Sequence, residues 1–187
     1  MNNRYFILRH GEALSNKKGF YSCWPEKSRA PLTGKGRKQI ETSARKLRDK
    51  DIDLIFSSDL LRTKQSAGIV GRKVKAKPEY DKRLREYNVG VFNGESIGGY
   101  RKFFPSGESR LKDKAPMGEN YTEVKRRVYD FFKEIDRKYK GKNILIVSHQ
   151  LPLALLEAKL KNISDKGFFK KENAEKRIKT GELRELK

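Results

Sequence analysis

A single cysteine, Cys23, stands among 187 residues. No disulfide can form within the chain, which is the usage of a reducing compartment rather than an oxidising one. Long hydrophobic runs are missing too. The first, Tyr5-Phe6-Ile7-Leu8, is short and stops at Arg9-His10, so it does not read as a secretory leader. No stretch approaches the roughly 20 apolar residues of a membrane span. The expectation is a cytoplasmic protein with no membrane partner. A Pro/Gly/Ser-rich linker is absent, and so are internal repeats; the chain reads as one domain over 1–187. Acidic residues are scarce: 24 Asp+Glu face 45 Lys+Arg, a formal charge of +21. That excess speaks to partners and solubility, not to fold. It admits nucleic acid or anionic small molecules. The charges are spread along the chain, however, and a solvated basic surface explains them more simply than a nucleic-acid site. No Gly-rich loop ends in Lys-Ser/Thr, which excludes P-loop chemistry. No nucleophile-elbow pattern of glycines around a serine appears either. Nothing speaks to oligomeric state.

What is present is apolar periodicity. Tyr5–Leu8, Leu54–Phe56 and Ile144–Val147 read as buried strands, with Val74–Ala76 as a weaker fourth. Helical patterns follow them. Ile40, Ala44 and Leu47 mark a helix within Leu32–Lys50, with Thr33 as its cap. Leu60–Val70 follows the capping cluster Ser57-Ser58-Asp59. Tyr121–Tyr139 carries Val124, Val128, Phe131, Phe132 and Ile135 on one face, and Leu151–Leu160 is almost wholly apolar. Strands alternating with helices predict an α/β fold: three layers, with helices on both faces of a mostly parallel sheet. Ile178–Leu186 reads equally as a late strand or a frayed tail. Residues 88–118 fit no pattern and read as a lid or insertion over a site.

Ligands of an open parallel sheet bind beyond the carboxyl ends of its strands. Arg9-His10 follow the first strand, Ser57-Ser58-Asp59 and Arg62 the second, Ser148-His149 the third. The chain has only two histidines, and both occupy this position. Two histidines without a third ligand make a poor zinc site. Two arginines and two histidines around one point suit a phosphoryl group instead: guanidinium forks match its oxygens, and neutral imidazole can carry it covalently. Gly11 reads as a residue that lets the backbone turn tightly there.

The segment "LRHGEALSN" resembles the signature of the histidine phosphatase superfamily, the phosphoglycerate mutase-like proteins of branch 1, whose first strand ends in Arg-His-Gly. The likeness continues in order. It runs through "PLTGKGRKQ" (31–39), "SSDLLRTKQSA" (57–67), "LREYNVGVFNG" (84–94), "GENYTEVKRRV" (118–128) and "IVSHQ" (146–150). The resemblance implies a phosphoglycerate mutase-like fold and a phosphatase acting through a phosphohistidine on His10, with neither metal nor cofactor. It implies Arg9, Arg62 and His149 as the phosphate pocket, Asn16 as a further donor, and Glu86 as proton donor to the leaving group. Read locally, Glu86 could equally pair with Arg83 or Arg85, and Asn16 could merely shape its turn. The sequence departs from the family at Gln150, where glycine is usual, and at Phe92, where tryptophan is commoner. Gln150, with Arg101 and Lys102 of the irregular segment, is therefore assigned to substrate choice. The expected substrate is a small phosphorylated metabolite, with phosphohistidine on a protein as the other possibility. Two other readings use the same fold: a phosphoglycerate mutase, disfavoured because such enzymes carry longer insertions, and a non-enzymatic basic protein that binds nucleic acid.

Overall fold

The computed structural model describes residues 1–27, 29–170 and 177–186. Five strands form one sheet: β1 (Arg4–Arg9), β2 (Leu54–Ser57), β3 (Pro78–Tyr80), β4 (Asn143–Ser148) and β5 (Leu183–Leu186). Their order is β3-β2-β4-β1-β5. All neighbours run parallel except β5, which lies antiparallel to β1. Side chains alternate along a strand, and here both faces are covered, which is why the central strands read as unbroken apolar runs. Tyr5, Ile7, Ile144 and Ile146 point to one cluster. It is completed by α5 (Tyr121–Lys138) and α6 (Gln150–Leu160). Phe6, Leu8, Leu145 and Val147 point to the other, against α2 (Gly34–Lys46) and α3 (Leu61–Val74). The three-layer α/β expectation holds. Short helices α1 (Leu14–Lys18), α4 (Ile97–Phe103) and α7 (Asp165–Phe169) complete the fold. Among the described residues, no helix is long and apolar enough to cross a membrane.

Helix ends follow local chemistry. Thr33 caps α2 by accepting from the Gly36 N–H at 3.0 Å. Asn120 and Glu123 form a reciprocal capping box at the start of α5. One expected strand is wrong. Val74 is the last residue of α3, and Lys75 ends that helix in the left-handed region at φ 57°. The strand begins later, at Pro78. It is an edge strand, where a proline's missing N–H does no harm. Of the two readings of the C-terminal stretch, Leu183–Leu186 is a strand and Ile178 is buried outside it.

Residues 88–118 are more ordered than their composition suggests. They hold α4 and the 3-10 turns Gly90–Phe92 and Glu108–Leu111. Ser96 caps α4, and the Tyr21 N–H donates to the Glu95 carbonyl at 2.9 Å. Tyr100 is fully buried among the rings of Tyr21, Tyr87, Phe92 and Phe104.

Candidate active site

Strands β1 and β4 are adjacent, in a register that sets Arg9 beside Ser148. The residues after them therefore emerge at the same level. The His10 N–H donates to the Ser148 carbonyl at 3.0 Å, and the His10 and His149 rings lie 5.2 Å apart, edge to face. The first turn of α3 brings Arg62 to the same point.

His10 is almost fully buried. Its Nδ1 lies 2.7 Å from the Gly11 carbonyl, which can only accept, so Nδ1 carries the proton and Nε2 the lone pair. That lone pair accepts from Arg62 Nε at 3.2 Å. Burial, and then the nearby Arg62 and Arg9, hold the imidazole well below its ordinary pKa, so it is neutral near pH 7. His149 is depressed in the same way, first by burial and then by Arg62, His10 and Arg9. Its Nε2 lies 2.9 Å from Ser58 Oγ, while its buried Nδ1 has no partner.

Arg62 is 3% exposed. Ser22 holds it through Oγ at 3.3 Å and its carbonyl at 2.8 Å, and Glu26 Oε1 stands 3.7 Å from Nη1. Glu26 also accepts from the Leu61 N–H at 2.9 Å and so ties this loop to the start of α3. Arg9 donates from Nη1 to the Ile178 carbonyl at 3.1 Å, while its buried Nε is unpartnered. Beside His10, Arg9 Nε and His149 Nδ1 thus have no partner among the described residues.

Glu86 is half-buried, and its carboxylate accepts from the Tyr87 N–H at 3.0 Å. Neither Arg83 nor Arg85 pairs with it. Arg83 engages Asp81 and Glu134. Arg85 forks onto Asp59 at 2.7 and 2.6 Å and stacks on Trp24. Burial raises Glu86 above the usual carboxylate range, against the pull of Arg62, Arg9 and Arg127. Arg127 of α5 donates to the carbonyls of Arg83, Arg85 and Glu86, pinning the backbone that carries the carboxylate.

The remaining sequence candidates divide. Gln150 and Arg101 line a cavity of about 110 Å³ with Glu86. Lys102 is exposed and does not line it. Asn16 is exposed, and its Oδ1 accepts from the Ala13 N–H at 3.0 Å; among the described residues no hydrogen bond joins it to the pocket. Gly11 matters for a different reason than a tight turn. Its φ is not positive, but a Cβ there would strike the Gly36 carbonyl, so glycine is what lets this loop pack against the start of α2. Ser22, Glu26, Ser58 as the partner of His149, and Arg127 escaped the sequence reading, since none stands in a local pattern that announces its contact. Larger grooves elsewhere, such as one of about 600 Å³ beside α6, contain none of His10, Arg62 or His149.

The buried histidines make stability pH-dependent. In the unfolded chain each titrates near 6.5. In the fold each resists protonation, so the unfolded state binds more protons below that pH and stability falls. Glu86 acts with the opposite sign: its raised pKa makes the folded state bind the extra proton, so its contribution falls as pH rises through the folded value. Thermal unfolding should therefore lose up to about 1.4 kcal/mol per pH unit per histidine on going below pH 6.5. His10→Gln with His149→Gln should flatten that slope; an unchanged slope would contradict buried neutral imidazoles.

A family model described as histidine phosphatase superfamily (branch 1) matches residues 5–179. The probable phosphoglycerate mutase GpmB of Yersinia pestis (strain Pestoides F) is 32% identical over 158 residues, covering 81% of this chain and 71% of that protein. Among solved structures, Bacillus stearothermophilus YhfR shares the fold, with a TM-score of 0.84 over 98% of this chain and 90% of that one at 22% identity. The α-ribazole phosphatase from Shigella flexneri aligns with a TM-score of 0.80 at 26% identity, over 97% of this chain and 89% of its own. The likeness runs from the buried run of β1 almost to β5 and takes in both histidines, and the chain accordingly belongs to the histidine phosphatase superfamily, branch 1.

Proposed function

We propose that this protein hydrolyses a phosphomonoester through a phosphohistidine on His10. Phosphoryl transfer or hydrolysis is the chemistry of its family, whose members are phosphatases or mutases. The observation that carries the reading is the state of His10: neutral, tautomer locked by the Gly11 carbonyl, Nε2 facing the Arg62 guanidinium. A substrate phosphoryl takes over the Arg62 Nε–H that now caps Nε2, and it supplies acceptors for Arg9 Nε and His149 Nδ1. The freed lone pair attacks phosphorus. Glu86 gives its proton to the leaving oxygen, since an alkoxide leaves badly without one. The resulting carboxylate then takes a proton from water as that water attacks the phosphohistidine. Phosphate departs, and Glu86 is protonated again. The guanidinium and imidazole donors face charge that builds on the equatorial oxygens, where preorganised electrostatics contribute most.

Hydrolysis is preferred to mutase chemistry on one observation. The α-ribazole phosphatase from Shigella flexneri aligns over 97% of this chain with a TM-score of 0.80, the phosphoglycerate mutase from Bacillus anthracis over 85% with a TM-score of 0.70. The relation to GpmB keeps the mutase reading in view. A panel of phosphomonoesters, assayed for released phosphate and, with 3-phosphoglycerate, for isomerised product, separates the two. Isomerisation outpacing phosphate release would overturn hydrolysis.

Because the pocket's positive charge comes from arginine, activity should persist in EDTA. Vanadate should inhibit competitively, since its five-coordinate form matches the phosphoryl in flight. Loss on chelation, restored by a divalent metal, would contradict this reading.

A further inference from the structure

Positive charge gathers on the far side of Glu86 that the phosphoryl pocket does not use. The cavity of about 110 Å³ is walled by Glu86, Gln150, Tyr87, Arg101, Arg110 and Arg177. The three arginines come from α4, from the turn Glu108–Leu111 and from the C-terminal segment. Arg110 lies over the Tyr121 ring at 5.6 Å, and Arg177 over Phe168 at 4.6 Å. Among the described residues, the Nε atoms of Arg110 and Arg177 and the Tyr87 hydroxyl are buried without a hydrogen-bond partner. Arginines packed into the structure elsewhere have carboxylates: Arg83 with Asp81, Arg85 with Asp59, Arg127 with Glu119. Among the described residues none pairs with Arg101, Arg110 or Arg177. The cluster is also tight enough to repel itself. Arg177 is held below its ordinary pKa, first by burial and, against the pull of Tyr121, by Arg110 and Arg101.

Cations withdrawn from water without counter-charge are costly. The one acidic group on the wall is Glu86, and burial there favours its neutral form. Something anionic and transient fits this arrangement. We infer that the cavity is a second anion subsite. It holds a carboxylate or phosphate at the other end of a small phosphomonoester whose reacting phosphoryl sits against His10. The inference rests on the proposed reaction only for which group is transferred. At about 30 Å³ per water molecule, the space suits one small oxyacid group and a carbon or two. Guanidinium forks supply its paired donors. Gln150 adds an amide at the start of α6.

Calorimetric titration with non-hydrolysable phosphonates tests this apart from turnover. Ethyl-, propyl- and butylphosphonate are compared with the ω-carboxyalkylphosphonates and α,ω-diphosphonates of matching length. At least one carboxylate or diphosphonate should bind tenfold or more tighter than its alkyl counterpart, and which series wins names the oxyacid. The ratio should shrink in about 0.5 M salt. Arg110→Gln and Arg177→Gln should each pull it toward one, and Arg101→Gln, at an exposed position, offers a third variant with little risk to folding. Wild-type ratios near one at every length would overturn the subsite, as would ratios untouched by all three variants. Hydrolysis of 4-nitrophenyl phosphate is followed in parallel. If it is absent while the phosphonate ratios stand, the hydrolytic reading fails and the subsite survives.

Discussion

Replacing His10 with alanine is expected to lower phosphatase activity by at least about 10⁴-fold, the scale of loss when the nucleophile of a cooperative set is removed. The reasoning is local. His10 Nε2 carries a lone pair and no proton, because Nδ1 donates to the Gly11 carbonyl, and the Arg62 Nε–H that caps it can be taken over by a phosphoryl oxygen. With Ser58 donating to its Nε2, His149 is the same tautomer, but its lone pair is turned to Ser58 and away from the phosphoryl, and its Nδ1 serves as a donor. Wild-type enzyme quenched during turnover of a ³²P-labelled ester should retain acid-labile, alkali-stable label. His10→Ala should retain none. His149→Ala should still take up label, more slowly. His10→Gln keeps most of the buried volume, so an equal loss in that variant, with near-UV circular dichroism unchanged, separates chemistry from folding. Label of the same stability in either His10 variant would overturn the assignment.

The four groups nearest that chemistry were legible because each sits at a strand end or in a first helical turn, and the strands are legible for a physical reason. A strand buried on both faces must be apolar throughout, so Tyr5–Leu8 and Ile144–Val147 stand out in a chain this polar. That rule fails at the sheet edges. β3 is Pro-Glu-Tyr and half in water, and β5 is Leu-Arg-Glu-Leu, paired with a strand more than 170 positions away. Neither has the composition that the rule detects. Helix α3 outran its predicted end because the residues after Val70 kept forming helix until Lys75 closed it.

The supporting contacts were hidden for a related reason. Ser22 and Glu26 brace Arg62 from a loop some 40 positions away, and Arg127 reaches back to the Glu86 backbone from α5. Nothing in a serine, a glutamate or a helical arginine announces such a contact; only the tertiary fold makes it. Glu86 lay between the two cases. Its neighbours Arg83 and Arg85 were plausible partners until each was found committed to carboxylates of its own. The irregular segment misled in a third way. Glycine and charge disguised α4, whose order comes from one buried tyrosine and the rings around it.

Glu86→Gln should slow hydrolysis of alkyl phosphates by about 10²- to 10⁴-fold, the usual contribution of a placed general acid. The loss should depend on the leaving group. An alkoxide needs the proton as the P–O bond breaks, whereas 4-nitrophenolate leaves without it. In single-turnover measurements of phosphoenzyme formation, the variant should therefore lose far more with butyl phosphate than with 4-nitrophenyl phosphate. The pH dependence follows from the direction of the shift. Burial raises the Glu86 pKa, so the acid form persists to higher pH than in an ordinary carboxylate. The wild-type ratio of alkyl to aryl kcat/KM should be flat at low pH and fall as pH climbs through that raised value. Dividing the wild-type ratio by that of Glu86→Gln at each pH cancels the ionisation of the phosphates themselves, whose second pKa is about 6 and lies lower in the aryl ester. In Glu86→Gln the ratio should be low and keep only the pH dependence of the two phosphates. Equal losses for both leaving groups, or an alkaline fall that survives the substitution, would show instead that Glu86 shapes the cavity wall and that the proton comes from elsewhere.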